Sequence, residues 1–232
     1  MSEKAVFQGF PKQTVKFFRD LAKHNDKAWF AAHRAEYDAY VLAPAQAFVT
    51  AMGEKLREIS PGIHADPRID RSIFRLYRDT RFTNDKSPFK THLGIYFWEG
   101  DRPKMECSGF YFHIEPPNLL LGAGLYLFPP ALLEEYRRSV VHPVHGEALA
   151  DAIKLVAKRG YFVGEPHYKR TPRGYDPAHP RAPYLLYNGL WAGMEERIPD
   201  LLYSADLIAY CIKHYRALAP LHQWQTAMIE RA

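Results

Sequence analysis

Three groups of residues hold most of the side chains in this chain that could do chemistry. The first is "RLYRDTRFTNDKSPFK", residues 75–90. It gathers Arg75, Arg78, Arg81, Lys86 and Lys90 and sets only Asp79 and Asp85 against them. Guanidinium forks suit phosphate or carboxylate oxygens, and lysines add point charge. A strand with one buried face cannot bury such cations alone, because an unpaired buried charge is strongly unfavourable. The two aspartates can satisfy two of the five cations. The other three need an anionic guest, or a lattice of internal salt bridges to acids such as Glu36, Asp38 and Glu54. "TNDKSP" has no strand character and reads as a loop at a strand end, where binding residues commonly sit. The candidate anion-binding residues here are Arg75, Arg78, Arg81, Asp85, Lys86 and Lys90.

The second group is the polar side of "GFYFHIE". Alternation places Phe110, Phe112 and Ile114 on one strand face and Tyr111, His113 and Glu115 on the other. On that face histidine can act as general base, glutamate can orient it, and tyrosine can donate to developing negative charge. These three are the candidate catalytic residues. The competing reading is a solvated outer sheet face, which alternation alone also produces. His113 and Glu115 are also metal-ligand types, but spacing identifies no third ligand, so no metal is assigned.

The third group is "KRTPRGYDPAHP". Lys169, Arg170 and Arg173 make it basic, and Gly174 frees the backbone. Such a loop either closes over an anion as a lid or is a proline-stiffened surface segment. His24, His33, His142, His145 and His214 lie in helical contexts and read as packing or surface residues. The chain has no GxGxxG after a strand, no GxxxxGK[ST], no GxSxG and no HExxH, so the nucleotide, hydrolase and metalloprotease signatures are absent.

The elements that must position these groups follow from periodicity. "FPKQTVKFFRDLAKHN" carries Val15, Phe18, Leu21 and Ala22 at helical spacing, with Thr14 as its candidate cap. "NDKAWFAAHRAEYDAYVLAP" reads as a second helix with an aromatic side, and Pro44 opens a third that runs to about Ser60. The period then changes. "RSIFRLYRD" alternates as a strand, "HLGIYFWEG" is an aromatic-rich strand, and "GFYFHIE" pairs antiparallel with "LLLGAGLYLF" across a "PPN" reversal. Gly122 and Gly124 share a face and leave room for a ligand or another backbone. After Pro129 and Pro130 come two amphipathic helices, the second ended by Gly160. A proline-rich loop over residues 161–183 follows, then a last helix that Pro220 breaks or kinks.

The expected architecture is one α+β domain over residues 1–232, with an antiparallel or mixed sheet and helices before and after it. Its helical N-terminal part covers about 12–60, its sheet about 68–128, and its C-terminal helices carry the basic loop. The chain has 232 residues, 47% of them hydrophobic and 14% aromatic, which is enough for a buried core and excludes a disordered chain. Its net charge of +5 owes much to the first group. Cys107 and Cys211 show no zinc or redox spacing and read as free thiols. No apolar run is long enough to span a membrane, and no signal pattern opens the chain, so a cytoplasmic protein is expected.

Four blocks resemble a known family in order: "NDKAWFAAHRAEYDAYVLAP", "FRLYRDTRFTNDKSPFKTHLG", "GFYFHIEPPNLLLGAGLY" and "YKRTPRGYDPAHP". They are similar to domain-of-unknown-function family 2461, over most of the chain from Phe10 past Ala192. The resemblance implies no particular reaction. It marks Arg75, Arg78, Asp79, Arg81, Phe82, Asp85, Lys86, Lys90, Gly124, Lys169, Pro172 and Gly174. At Asn188 the chain departs from the basic residue expected there.

Together these readings favour a phosphate-like anion site, in an enzyme on a phosphorylated or otherwise anionic small molecule. One alternative is a nucleic-acid-binding protein that stacks bases on Tyr77, Phe82 and Phe89. The other is a structural or partner-binding domain with internally paired charges. Cofactor and oligomeric state do not follow from the sequence.

Overall fold

A computed structural model describes residues 6–81 and 83–232. Helices come first, four strands follow, two helices separate these from the last two strands of a six-stranded antiparallel sheet, and a long helix closes the order, so the α+β expectation holds. The sheet order is β1 (Ile63–His64), β2 (Leu93–Glu99), β3 (Gly109–Glu115), β4 (Asn118–Leu125), β6 (Leu190–Arg197) and β5 (Phe162–Val163). Contacts divide the chain into two compact units. The first holds residues up to Phe97 with Tyr111–Leu121 and Glu195–Lys213. The second holds Trp98–Phe110, Gly122–Met194 and His214–Ala232.

In the first unit, α1 (Lys12–Lys23) buries Val15, Phe18 and Leu21 as its spacing predicts. Its cap differs from the expected one. Pro11 holds that position, and Thr14 lies inside the helix with its hydroxyl donating to the Tyr40 carbonyl at 2.5 Å. That carbonyl would normally accept from the amide four residues on, which is Pro44 and has no N–H. Thr14 therefore supplies the donor that Pro44 lacks.

The expected second helix is divided into α2 (Lys27–Ala32), α3 (Arg34–Tyr37) and a π-helical turn over Asp38–Leu42, and the expected third is α4 (Ala43–Leu56), with Pro44 in its first turn. Asp26 caps α2 by accepting from the Trp29 amide. At His33 the ring Nδ1 lies 2.8 Å from the Trp29 carbonyl, so the side chain shares an acceptor the helix backbone also uses. Such local bonding loosens a helix. Phe10, Phe48 and Phe112 pack as an aromatic core, with the Phe48 and Phe112 rings 4.5 Å apart.

The strand expected over "RSIFRLYRD" is reduced to isolated bridges, Ile73 with Ile95 and Tyr77 with Phe89. Arg78 donates its amide to the Pro88 carbonyl, and proline has no N–H to return, so the ladder stops. The described residues 79–81 and 83–87 lie in the loop this pairing closes, as "TNDKSP" suggests.

The second unit contains α5 (Pro130–Val141) and α6 (Pro143–Lys158), both as expected. Gly124 has φ +125°, and a Cβ there would lie 2.4 Å from the Leu190 carbonyl oxygen. A neighbouring backbone thus fills the room the glycine leaves. That backbone belongs to β6, which the sequence reading does not assign. The last helix, α7 (Leu207–Glu230), is one helix through Pro220 instead of two. Leu218 and Leu221, on either side, are fully buried, and their packing offsets a cost of about 3 kcal/mol for an interior proline. Fully buried His222 lies 3.0 Å from Ser108 Oγ and 3.0 Å from Glu99 Oε2, and Ser108 donates to Gln225. This buried chain ties helix to strands and is sealed from solvent at Ser108.

Candidate functional site

β3 places the site because its alternation is obeyed. Phe110, Phe112 and Ile114 are fully buried, while Tyr111 and His113 are mostly buried and Glu115 is exposed. Once the apolar side is committed to the core, the polar row faces outward. Tyr111 Oη lies 2.7 Å from His113 Nδ1, and His113 Nε2 lies 3.4 Å from Glu115 Oε2. The Thr91 hydroxyl donates to Glu115 Oε1 at 3.1 Å. The structure therefore brings Tyr111, His113 and Glu115 into one connected row.

It also adds a residue the sequence reading does not single out. His92 stands just before β2, and its ring centroid is 4.4 Å from that of His113. Its Nδ1 is 3.9 Å from Glu115 Oε1. One donor atom from each of His92, His113 and Glu115 lies within 4.8 Å of the others. The sequence carries little signal for this, since His92 follows the charged loop and its partners are on another strand. The one available clue is that "KTHLGIY" puts an imidazole at the mouth of a strand.

Burial sets the electrostatics. It lowers the His92 pKa to about 4, with His113 adding to the effect and Glu115 opposing it. Burial likewise lowers His113, against the hydrogen bond and charge of Glu115. Both imidazoles are therefore neutral near pH 7. Burial, then the charge of Glu115, raises Tyr111, which stays a phenol. Gly94 makes space for that phenol, because a Cβ there would sit 2.8 Å from Tyr111 Oη.

Two open clefts adjoin the row and share Glu115 and Pro116. One, of about 440 Å³, is lined by His113, Asn118, Leu120 and Glu195 among others. The other, of about 320 Å³, is lined by Arg19, Lys23 and Thr91 among others, so α1 adds two cations not anticipated from the sequence.

The five cations of residues 75–90 have different fates. Arg78 pairs with Asp85, and Arg81 pairs with Asp79 at 2.7 Å. These two guanidinium groups follow the internally paired reading. Arg81 and its hydrogen bonds hold Asp79 down to about 2, and the Ser87 amide and Arg78 hold Asp85 lower still. Lys86 donates to the Thr80 carbonyl. Arg75 is exposed, and Lys90 is half-buried with its Nζ 5.5 Å from the Phe74 ring centroid. Among the described residues neither Arg75 nor Lys90 has a carboxylate within ion-pair distance. Burial, then the charge of Arg75, lowers Lys90, whose charge acts in turn on His92.

Phe89 is 1% exposed, with its ring centroid 4.5 Å from that of Phe30, and is closed to base stacking. Tyr77 is exposed, and Phe82 lies outside the described residues. Lys169, Arg170 and Arg173 belong to the second unit and are exposed there. The loop that carries them is anchored by Arg181, which donates to the Val140, Val141 and His142 carbonyls.

Residues 13–224 match the profile of the family described as conserved hypothetical protein (DUF2461), and the chain belongs to that family. A comparison with curated proteins gives no match.

Proposed function

We propose that the outer face of β2 and β3 in the first unit is the active site of an enzyme that acts on a small anionic molecule, of the phosphate or carboxylate kind. One observation carries this reading. Lys90 is half-buried, has no carboxylate within ion-pair distance among the described residues, and feels the like charge of Arg75. Asp70 acts on Lys90 and Asp79 on Arg75 only through space, with no ion pair formed, so a bound anion would relieve the two neighbouring cations further. Arg19 and Lys23, across Glu115, extend the positive rim. Proton transfer belongs to the row Tyr111, His113 and Glu115, whose neutral imidazole is held between two oriented oxygens. Of the basic residues named from the sequence, Arg75 and Lys90 are the ones this reading retains at the site. Arg78, Arg81, Asp85 and Lys86 support the loop. Lys169, Arg170 and Arg173 lie in the second unit and are not part of this reading.

The test is a thermal-unfolding screen of the full chain with inorganic phosphate, sugar phosphates, nucleotides and dicarboxylates, repeated on Lys90→Met. The reading expects at least one anion to raise the midpoint of the wild-type protein and to have lost most of that effect in the variant. Equal shifts in both proteins would overturn it, as would no shift with any anion.

A further inference from the structure

We propose that His92, His113 and Glu115 bind one divalent first-row transition metal, with zinc as the type ion, and leave a coordination position open to the cleft beside His113. The proposal rests on the reading of this face as the site, and it makes His113 a ligand in place of a proton carrier.

The donor set comes first. Two imidazoles and one carboxylate form a common three-ligand set for a metal that keeps a position for water or substrate. Tetrahedral bonds of about 2.0–2.1 Å place donor atoms about 3.3 Å apart. His113 Nε2 and Glu115 Oε2 are already 3.4 Å apart, and His92 Nδ1 is 3.9 Å from Glu115 Oε1. The three donor atoms lie within 4.8 Å of one another, and Glu115 is the ligand best able to move toward the imidazoles. The Glu115 side chain is 51% exposed and is held by the Thr91 hydroxyl and His113, so it can turn without disturbing the core.

The surroundings suit a ligand set as well. Metal-bound histidines give their second nitrogen to an oxygen acceptor, which fixes the ring. His113 Nδ1 already faces Tyr111 Oη at 2.7 Å. A phenol both donates and accepts. Tyr111 can therefore donate to Nδ1 when Nε2 carries the proton toward Glu115, and accept from Nδ1–H when Nε2 holds a metal. Neither imidazole projects into bulk water, since the His113 and His92 side chains are 17% and 26% exposed. The remaining position opens on a cleft lined by Asn118 and Glu195, and Lys90 stands on the His92 side. The open position would take water or an oxyanion, and the Lys90 charge acts on the His92 ligand. Water on such a metal loses its proton near neutral pH and would take over proton transfer.

The experiment titrates the full chain, stripped with chelator and dialysed, with Zn²⁺ by calorimetry and with Co²⁺ by visible absorption. One-to-one binding is expected, with the d–d bands of a four- or five-coordinate cobalt. Tyr111→Phe should weaken binding about 10–100-fold, and His92→Gln or Glu115→Gln by more. Glu115 is a surface residue, so its variant keeps the test readable if His92→Gln folds poorly. No saturable one-to-one binding, or binding indifferent to both His92→Gln and Glu115→Gln, would overturn the site. The anion reading is scored separately on the metal-free protein. Lys90-dependent stabilisation by phosphate without metal binding sinks the metal and leaves the anion site. Metal binding without any anion effect does the reverse.

Discussion

The Tyr111 hydroxyl stands 2.7 Å from His113 Nδ1, on the one face of β3 that the core does not claim. That contact decides which nitrogen of His113 is presented to the cleft, and so what the site can do. Removing it with Tyr111→Phe should leave the fold intact, since the ring's packing is kept. Once a substrate is known, turnover should fall about tenfold or more, in the range of a lost positioning hydrogen bond. Circular dichroism and a pH–rate profile check this. A merely structural Tyr111 would leave the profile unmoved.

Gly94→Ala should reproduce that defect from the neighbouring strand. The added methyl would meet Tyr111 Oη at 2.8 Å and push it off His113. The expected outcome is a loss of anion or metal affinity similar to that of Tyr111→Phe, read by the same titrations. Wild-type affinity in Gly94→Ala would show that Tyr111 does not position the histidine.

Acid should destabilise the metal-free protein through His92. Its folded pKa is about 4 against an ordinary 6.5, so between these values the unfolded chain binds more protons. Stability from this group is present above pH 6.5 and declines as pH falls toward 4. Denaturant midpoints measured across that window should drop on acidification, and His92→Gln should flatten the slope. An unchanged slope in the variant would assign the acid sensitivity elsewhere.

The paired cations and the aromatic core should respond very differently to mutation. Asp79→Asn removes the carboxylate of an exposed pair with Arg81, and such pairs contribute little to stability. Its unfolding midpoint should stay within measurement error of wild type. Phe112→Ala empties a fully buried position packed on Phe10 and Phe48, at a cost of about 3–5 kcal/mol. Denaturant unfolding of both variants tests the contrast. A large loss in Asp79→Asn would mean that the loop fastens the fold.

The hairpin of β3 and β4 was legible because strict alternation and a proline reversal state the strand, its faces and its pairing at once. The row Tyr111, His113 and Glu115 came with it. His92 stayed hidden because its neighbours are brought to it by the pairing of β2 with β3, which no spacing along the chain encodes. The strand expected over "RSIFRLYRD" failed for a reason present in the sequence, Pro88, whose missing N–H matters only once its opposite residue is known to be Arg78. β6 escaped because Ala192, Gly193 and the two glutamates after Met194 carry weak strand preference, and sheet context decides such segments. The charged segment forms the two internal pairs its two aspartates suggested, Arg78 with Asp85 and Arg81 with Asp79. Which cations were paired depended on loop geometry, since Asp79 reaches Arg81 two residues on and Asp85 reaches back to Arg78.

The most direct test of the anion site is to locate the anion. Crystals of the full chain grown with tungstate, a phosphate mimic with a strong anomalous signal, would show where an oxyanion settles. The account predicts a peak with an oxygen within hydrogen-bonding distance of Lys90 Nζ, on the side of His92 and His113. A peak confined to the basic loop of Lys169, Arg170 and Arg173, or none on the first unit, would contradict it.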